Sequence, residues 1–136
     1  MKSKESVSLL LLRFALFLSF LYGGTGILFG WFNGAGLQRF AGFMHFPVII
    51  AVLVGIAEIA GSLAMISGIL TRIGALCIMI VMIGAMSYLP HGFSIMNRSL
   101  GYPLTEFVIA LSIFITGPGA YTLARLAKKD IQFILQ

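Results

Sequence analysis

The chain has 136 residues, of which 60% are hydrophobic and 10% are charged, and its mean hydropathy is +1.06. A soluble domain of this size has too few polar side chains to cover so much apolar surface, so the composition excludes that class and indicates a polytopic membrane protein. The formal net charge is +5. The positive residues are concentrated on one predicted side of the membrane, so the charge does not indicate a nucleic-acid partner.

Four continuous apolar stretches are predicted to be transmembrane helices, at about residues 8–30, 47–70, 73–89 and 100–117. About 20 apolar residues span a bilayer as a helix, and the absence of period-two alternation argues against a barrel. The predicted fold is all-α, a single membrane domain over residues 1–136 that forms a four-transmembrane-helix bundle.

Two further segments are predicted to be amphipathic. Residues 36–45 repeat apolar side chains at helical spacing, which predicts a short helix along the outer interface. The tail, about residues 120–136, places Arg125 and Lys128 opposite Leu123 and Leu126. Such a helix suits an anionic inner lipid surface, and a solvated basic tail is the alternative.

The distribution of Lys and Arg predicts the orientation of the bundle. One side of the membrane would carry Lys2, Lys4, Arg13, Arg72, Arg125, Lys128 and Lys129. The other side would carry only Arg39 and Arg98. Since positive loops stay in the cytoplasm, both termini are predicted to be cytoplasmic.

The four helices also suggest two similar hairpins. Each hairpin begins near an arginine, Arg13 or Arg72, and each return helix carries one glutamate, Glu58 or Glu106. This pattern is typical of parallel repeats in some transport folds, but chance similarity between apolar helices explains it too.

Glu58 is the most informative residue, because it stands alone in the middle of an apolar span. A carboxylate at that depth costs several kcal/mol unless it is neutral, paired or facing a wet cavity. Its helical neighbours Gly55, Gly61 and Ser62 are small, which predicts that this face points into the bundle. Three roles stay open: a structural hydrogen-bonding group, a proton carrier, or a ligand contact.

A second group of candidates lies toward the outer end of the bundle. Glu106 is either a simple carboxylate at the membrane rim or a proton-exchanging group. Tyr88 and His91 continue a stripe on the third span, and His91 would lie close to Glu106 at the mouth of the bundle. Arg13 is predicted to extend to the inner headgroups, with a direct pair to Glu58 as the alternative.

The sequence lacks the motifs of several other kinds of site. The single cysteine, Cys77, cannot form a CxxC pair or a disulfide within the chain. No H-E-x-x-H or H-x-x-E-H spacing, flavin motif or pair of histidines with haem spacing is present. The sequence therefore predicts no metal, haem or flavin, and no catalytic residue is assigned.

An ordered set of short motifs resembles the DoxX family over about Ser8 to Leu126. The motifs are Leu11–Leu16, Leu28–Phe32, Ala57–Gly61, Gly68–Arg72 and Thr116–Leu123. The resemblance implies a four-helix protein of the bacterial plasma membrane. Some relatives resemble subunits of thiosulfate:quinone oxidoreductase, and others associate with redox or oxidative-stress partners. Arg13, Glu58 and Arg72 match polar positions of the family.

One departure from the family pattern concerns the first span. Many relatives carry a histidine and a lysine before the segment Phe29–Phe32, where this chain has Gly23 and Ile27. Any quinone or proton chemistry of that pair is absent here. The chain is thus not expected to be catalytic alone, and if it takes part in catalysis it does so as an oxidoreductase subunit.

The leading hypothesis is an accessory subunit of a membrane redox complex that binds a quinone or a lipid between its helices. Its candidate residues are Glu58, Glu106, His91, Tyr88 and Arg13. The alternatives are a small carrier of solute or protons, and an assembly factor with no small-molecule site. Membrane lipid, redox subunits and a second copy of the chain are the expected partners.

Overall fold

The computed structural model describes residues 3–88 and 100–134, and side chains up to residue 128. Within these residues every regular element is a helix. The helices are α1 (Ser3–Phe29), α2 (Gly36–Met44), α3 (Val48–Ser67), α4 (Thr71–Tyr88), α5 (Gly101–Thr116) and α6 (Leu123–Ile134), with a single 3-10 turn at Trp31–Asn33. The all-α prediction is confirmed.

Four of the helices form the bundle. In the described part of the chain, α1, α3 and α4 are long and apolar enough to cross a membrane, and α5 is a shorter apolar helix. Each helix packs on the next in the order α1, α3, α4, α5, whereas α1 and α5 make few contacts. Because lipid offers no hydrogen bonds, such continuous apolar runs form helices, which satisfy their own backbone groups.

Small residues lie where α3 crosses α1 and where it crosses α4. A Cβ atom added to Gly24 of α1 would lie 2.9 Å from the carbonyl oxygen of Gly55 in α3. One added to Gly74 of α4 would lie 2.5 Å from Ala64 Cβ of α3 and 3.4 Å from Gly61 O. The absence of side chains at these glycines therefore lets three helices pack backbone to backbone.

The α1–α3–α4–α5 bundle has two unlike ends. The end that holds α2 is here called the α2 end, and the end where α6 begins is called the α6 end. Between the Glu58 level and the α6 end, buried apolar side chains fill the interior, namely Leu9, Leu16, Phe20, Met65, Ala75, Ile78, Met82, Ala110 and Ile113. The packed core thus lies toward the α6 end.

Arg13 ties this packed half together. Its side chain is only 1% exposed. Nε donates to Met65 O at 2.8 Å and Nη2 to Ile66 O at 3.3 Å, both in the last turn of α3. Nη1 donates to Pro118 O at 2.9 Å and Tyr121 O at 2.7 Å, in the link between α5 and α6. The predicted extension of Arg13 to headgroups is therefore wrong, as is the alternative pair with Glu58.

The physical reason is the end of α3. The last carbonyls of a helix lack partners within the helix and carry partial negative charge, so they attract a buried cation. Gly68 ends α3 in the left-handed conformation at φ 71°, and its N–H donates to Ala64 O. A Cβ there would lie 2.6 Å from Arg13 Nη2 and 2.8 Å from Thr122 Cβ. Gly68 thus both ends the helix and leaves room for the guanidinium.

The two amphipathic segments are helical. In α2, Ala41 and Met44 of the predicted apolar face are buried, while Leu37 and Phe40 are half-buried. In α6, Leu123, Arg125, Leu126 and Lys128 are all exposed. The attachment of α6 to anionic lipid stays a prediction.

We expect Arg13→Met to destabilise the protein by about 2–4 kcal/mol, because it leaves buried carbonyls without donors. Thermal unfolding in mild detergent, followed by circular dichroism, measures the loss. Arg125→Met is the matched control, since Arg125 is exposed and should change the melting temperature little. Equal melting shifts for the two variants would contradict the role assigned to Arg13.

The α1–α3 crossing gives a second expectation. Gly24→Ala should destabilise the bundle by about 1–3 kcal/mol, because its Cβ meets backbone and the helices must separate. Gly42→Ala in α2 is the control, since its Cβ meets nothing within 4 Å; alanine there should be neutral or stabilising by up to about 1 kcal/mol. The same unfolding assay compares them, and a stable Gly24→Ala protein would show that the crossing is looser than described.

Candidate functional site

A groove with a volume of about 1170 Å³ lies at the α2 end, between the parts of α3 and α4 that are nearest to α2. Segment 33–35, α2 and the first turn of α5 supply the rest of its wall. Helix-bundle ligand sites commonly lie between helices in such clefts and have volumes of about 300–1,000 Å³. The groove is therefore large enough for a ligand of drug or lipid size.

The groove opens sideways, on the flank of the bundle, where exposed apolar side chains line it. Leu53 of α3 and Ile80 of α4 both line it and are more than half exposed. Phe43 of α2, also exposed, lines it near the α2 end. An opening with apolar side chains at its rim, in the flank of a membrane helix bundle, admits molecules from the bilayer more readily than solutes from water.

Glu58 supplies a carboxyl group to this largely apolar groove. Its side chain is 7% exposed and lines the groove, and its neighbours Gly55, Gly61 and Ser62 on α3 are buried as well. The prediction that this face points into the bundle is confirmed. No side chain in the described residues donates a hydrogen bond to the Glu58 carboxyl. A buried polar group of this kind is costly unless something pairs with it.

Gly23 of α1 makes room for that carboxyl. A Cβ added to Gly23 would lie 2.5 Å from Glu58 Oε2 and 3.4 Å from its Cδ. Ile27, one turn further along α1, is buried and its Cγ2 would lie 3.4 Å from a Cβ on Gly55. The two positions where the family pattern has polar residues therefore both face α3. In this chain the first of them, Gly23, has no side chain and so leaves space for the Glu58 carboxyl group.

A hydrogen-bonded triad of Ser19, Tyr102 and Glu106 lies where α1 meets α5. Ser19 Oγ is 2.6 Å from the Tyr102 hydroxyl and donates to Glu106 Oε1 at 3.1 Å. Glu106 Oε2 is buried, and no described group hydrogen-bonds to it. Ser19 thus links Glu106 to α1. A simple carboxylate at the membrane rim would need no such hydrogen bond.

Tyr102 connects this triad to the groove. Its side chain lines the groove on one side and, on the other, a smaller cavity of about 540 Å³ between α1 and α5. Tyr102 is therefore the one triad member that borders the groove.

Aromatic side chains close the groove at the α2 end. Phe46 packs edge to face on Phe40 with ring centres 5.6 Å apart, and on Tyr88 with ring centres 5.8 Å apart. All three side chains line the groove, and the exposed Arg39 lies beside them. Tyr88, one of the predicted site residues, thus stands at the groove wall.

The structure brings together Glu58 and Tyr88 of the predicted residues, and places Glu106 behind Tyr102. Arg13 belongs to the α6 end, where carbonyls occupy its donors. His91 lies outside the described residues. No group of three metal-ligating side chains occurs among the described residues. The groove offers a ligand the polar groups of Glu58 and Tyr88 and the charge of Arg39.

Sequence reasoning missed Ser19, Tyr102 and Arg39. A signal was present for the first two, because Tyr102 and Glu106 are four residues apart and share a helix face, and Ser19 is a polar residue inside an apolar run. Arg39 was used only to predict the orientation of the bundle from the distribution of charge, and its position on α2 was not considered.

Two comparisons with known proteins give a match. The family model described as DoxX matches residues 8–92. The chain is 32% identical over 132 residues to "Inner membrane protein YqjF" of Escherichia coli (strain K12), which covers 95% of this chain and 98% of that protein. No solved structure matches. A family match over more than half of the chain and a relative aligned over nearly its full length show that this protein belongs to the DoxX family.

Proposed function

We propose that this chain is an accessory protein of a bacterial inner membrane that holds a lipid-soluble molecule of the quinone class in the groove, next to a membrane redox complex. The single observation that carries the proposal is the buried Glu58 carboxyl, without a described donor, inside a groove open to lipid. The redox association comes from the resemblance to thiosulfate:quinone oxidoreductase subunits. The membrane is inferred from the printed name of the relative.

The residues of the groove fit such a ligand by size and chemistry. An aromatic head group with oxygen substituents would lie against Glu58 and Tyr102, and its apolar tail would leave through the rim at Leu53 and Ile80. A quinone supplies electron-carrying capacity when bound. This chain's own residues supply hydrogen bonds to the head group and an apolar wall that keeps water away from it.

The carrier alternative receives less support from the interior. A solute path across the bundle would have to continue from the groove to the α6 end. Leu16, Phe20 and Met65 are buried in that half, and Arg13 is bound to carbonyls beyond them. The described packing therefore favours a binding pocket closed at one end. The orientation with cytoplasmic termini, from the Lys and Arg distribution, is part of the same proposal.

The direct test is to purify the protein from native membranes in polymer nanodiscs and identify the bound lipids and quinones by mass spectrometry. Co-purifying proteins are identified in the same sample. We expect a quinone-class molecule and a redox subunit. Quinone-dependent activity of the isolated chain would overturn the accessory role, and recovery of protein partners without any bound small molecule would favour an assembly factor.

Glu58→Gln should lower the retention of the quinol form about five- to tenfold, because a quinol hydroxyl donates to the Glu58 carboxylate and a hydrogen bond to a charged group is worth about 1.5–3 kcal/mol, against about 0.5–1.5 kcal/mol for the bond to a neutral amide oxygen. The amide keeps the size of the side chain, so the fold should persist. Glu5→Gln, at an exposed position on α1, is the matched control. Unchanged ligand retention in Glu58→Gln, with only an altered melting temperature, would show that Glu58 is a structural group.

A further inference from the structure

The length of α3 places α2 at the level of the lipid head groups. α3 (Val48–Ser67) has 20 residues, which for an upright helix gives a length of about 30 Å, the thickness of the hydrocarbon core of a bilayer. Only residues 45–47 separate α2 from the first turn of α3. The α2 end of the groove therefore lies at the surface of that core, and Glu58 lies about 15 Å deeper.

Arg39 of α2 is a cation without a counter-ion at this level. Its side chain is exposed and lines the groove, and among the described residues its guanidinium has no hydrogen bond or ion pair. The acidic residues of the whole chain are Glu5, Glu58, Glu106 and Asp130. None of them belongs to α2, to the segments that flank it, or to residues 89–99. An anion for Arg39 at the head-group level therefore has to come from outside the chain.

The groove continues from Arg39 into the bilayer as an apolar wall. Phe43, one turn further along α2, lines the groove together with Arg39. Ile50 and Val54, one turn apart on α3, extend the apolar lining toward Glu58. The lining thus runs from the head-group level toward the middle of the bilayer, which is the direction of an acyl chain in a lipid leaflet.

We propose that the α2 end of the groove is a binding site for a glycerophospholipid, with its phosphate on Arg39 and one acyl chain along Ile50 and Val54. Arginine suits this role, because its planar guanidinium presents two parallel N–H donors to phosphate oxygens. The site goes beyond the proposed function and does not depend on it, since Arg39 and Glu58 lie at different depths of the groove.

Two lipids that differ only in the phosphate test the proposal: a phosphatidic acid and the diacylglycerol with the same acyl chains, each with a photoreactive diazirine in one chain. The full chain in dodecyl maltoside, a detergent without phosphate, is titrated with each lipid and irradiated, and the labelled residues are identified by mass spectrometry. We expect labelling of α3 between Ile50 and Glu58. Half-maximal labelling should need about tenfold less phosphatidic acid than diacylglycerol, the ratio that a hydrogen bond to a charged group provides.

Substitutions of Arg39 should change this ratio. Arg39→Gln should weaken labelling by phosphatidic acid about tenfold and leave labelling by diacylglycerol unchanged, because only the first lipid has a phosphate. Arg39→Lys should keep most of the preference, because the positive charge remains while the paired donors are lost. Arg125→Gln is the matched control; it removes the same charge from the exposed face of α6 and should leave the labelling of α3 as it is.

The outcomes are distinct. Equal labelling of α3 by the two lipids, or equal losses in Arg39→Gln and Arg125→Gln, would overturn the lipid site. An excess of inorganic phosphate should compete weakly, because it has no acyl chain; complete loss of labelling would show that Arg39 binds free phosphate instead. Retention of a quinone is measured separately through Glu58→Gln, so either proposal can fail while the other stands.

Discussion

Four hydrogen bonds from the buried guanidinium of Arg13 to backbone carbonyls hold the helices together. Arg13 of α1 reaches the last turn of α3 and the link between α5 and α6, so three parts of the chain that are distant in sequence meet at one side chain. A cation is stable there because the carbonyls at the end of α3 supply partial negative charge, and two carbonyls of the α5–α6 link accept further hydrogen bonds from it. The α6 end is consequently fixed by directed bonds as well as by apolar packing.

This constraint explains several features of the sequence at once. Gly68 has a left-handed backbone and no side chain, which suits both the end of α3 and the space taken by the guanidinium. The motifs around Arg13, Gly68 and Pro118, which carried the resemblance to the family, converge on this one point. The groove lies at the opposite end of the bundle, lined by parts of α3 and α4.

The sequence was sufficient for the class of fold and for the burial of the Glu58 face inside the bundle, because continuous apolar runs and small neighbours are local signals. It was insufficient to predict the partners of Arg13, since these partners are backbone carbonyls and no side-chain type indicates them. Ser19 and Tyr102 were missed for a related reason. Their pairing depends on how α1 and α5 are rotated relative to each other, and the periodicity of one helix does not predict that rotation.

The sideways opening of the groove affects how tightly the ligand that we propose has to bind. A hydrophobic ligand partitions into the bilayer, so its local concentration beside Leu53 and Ile80 far exceeds its average concentration in the cell. Occupancy depends on the ratio of ligand concentration to dissociation constant. A site fed in this manner can remain filled with only modest intrinsic binding strength, and can release its occupant quickly to a neighbouring protein in the same leaflet.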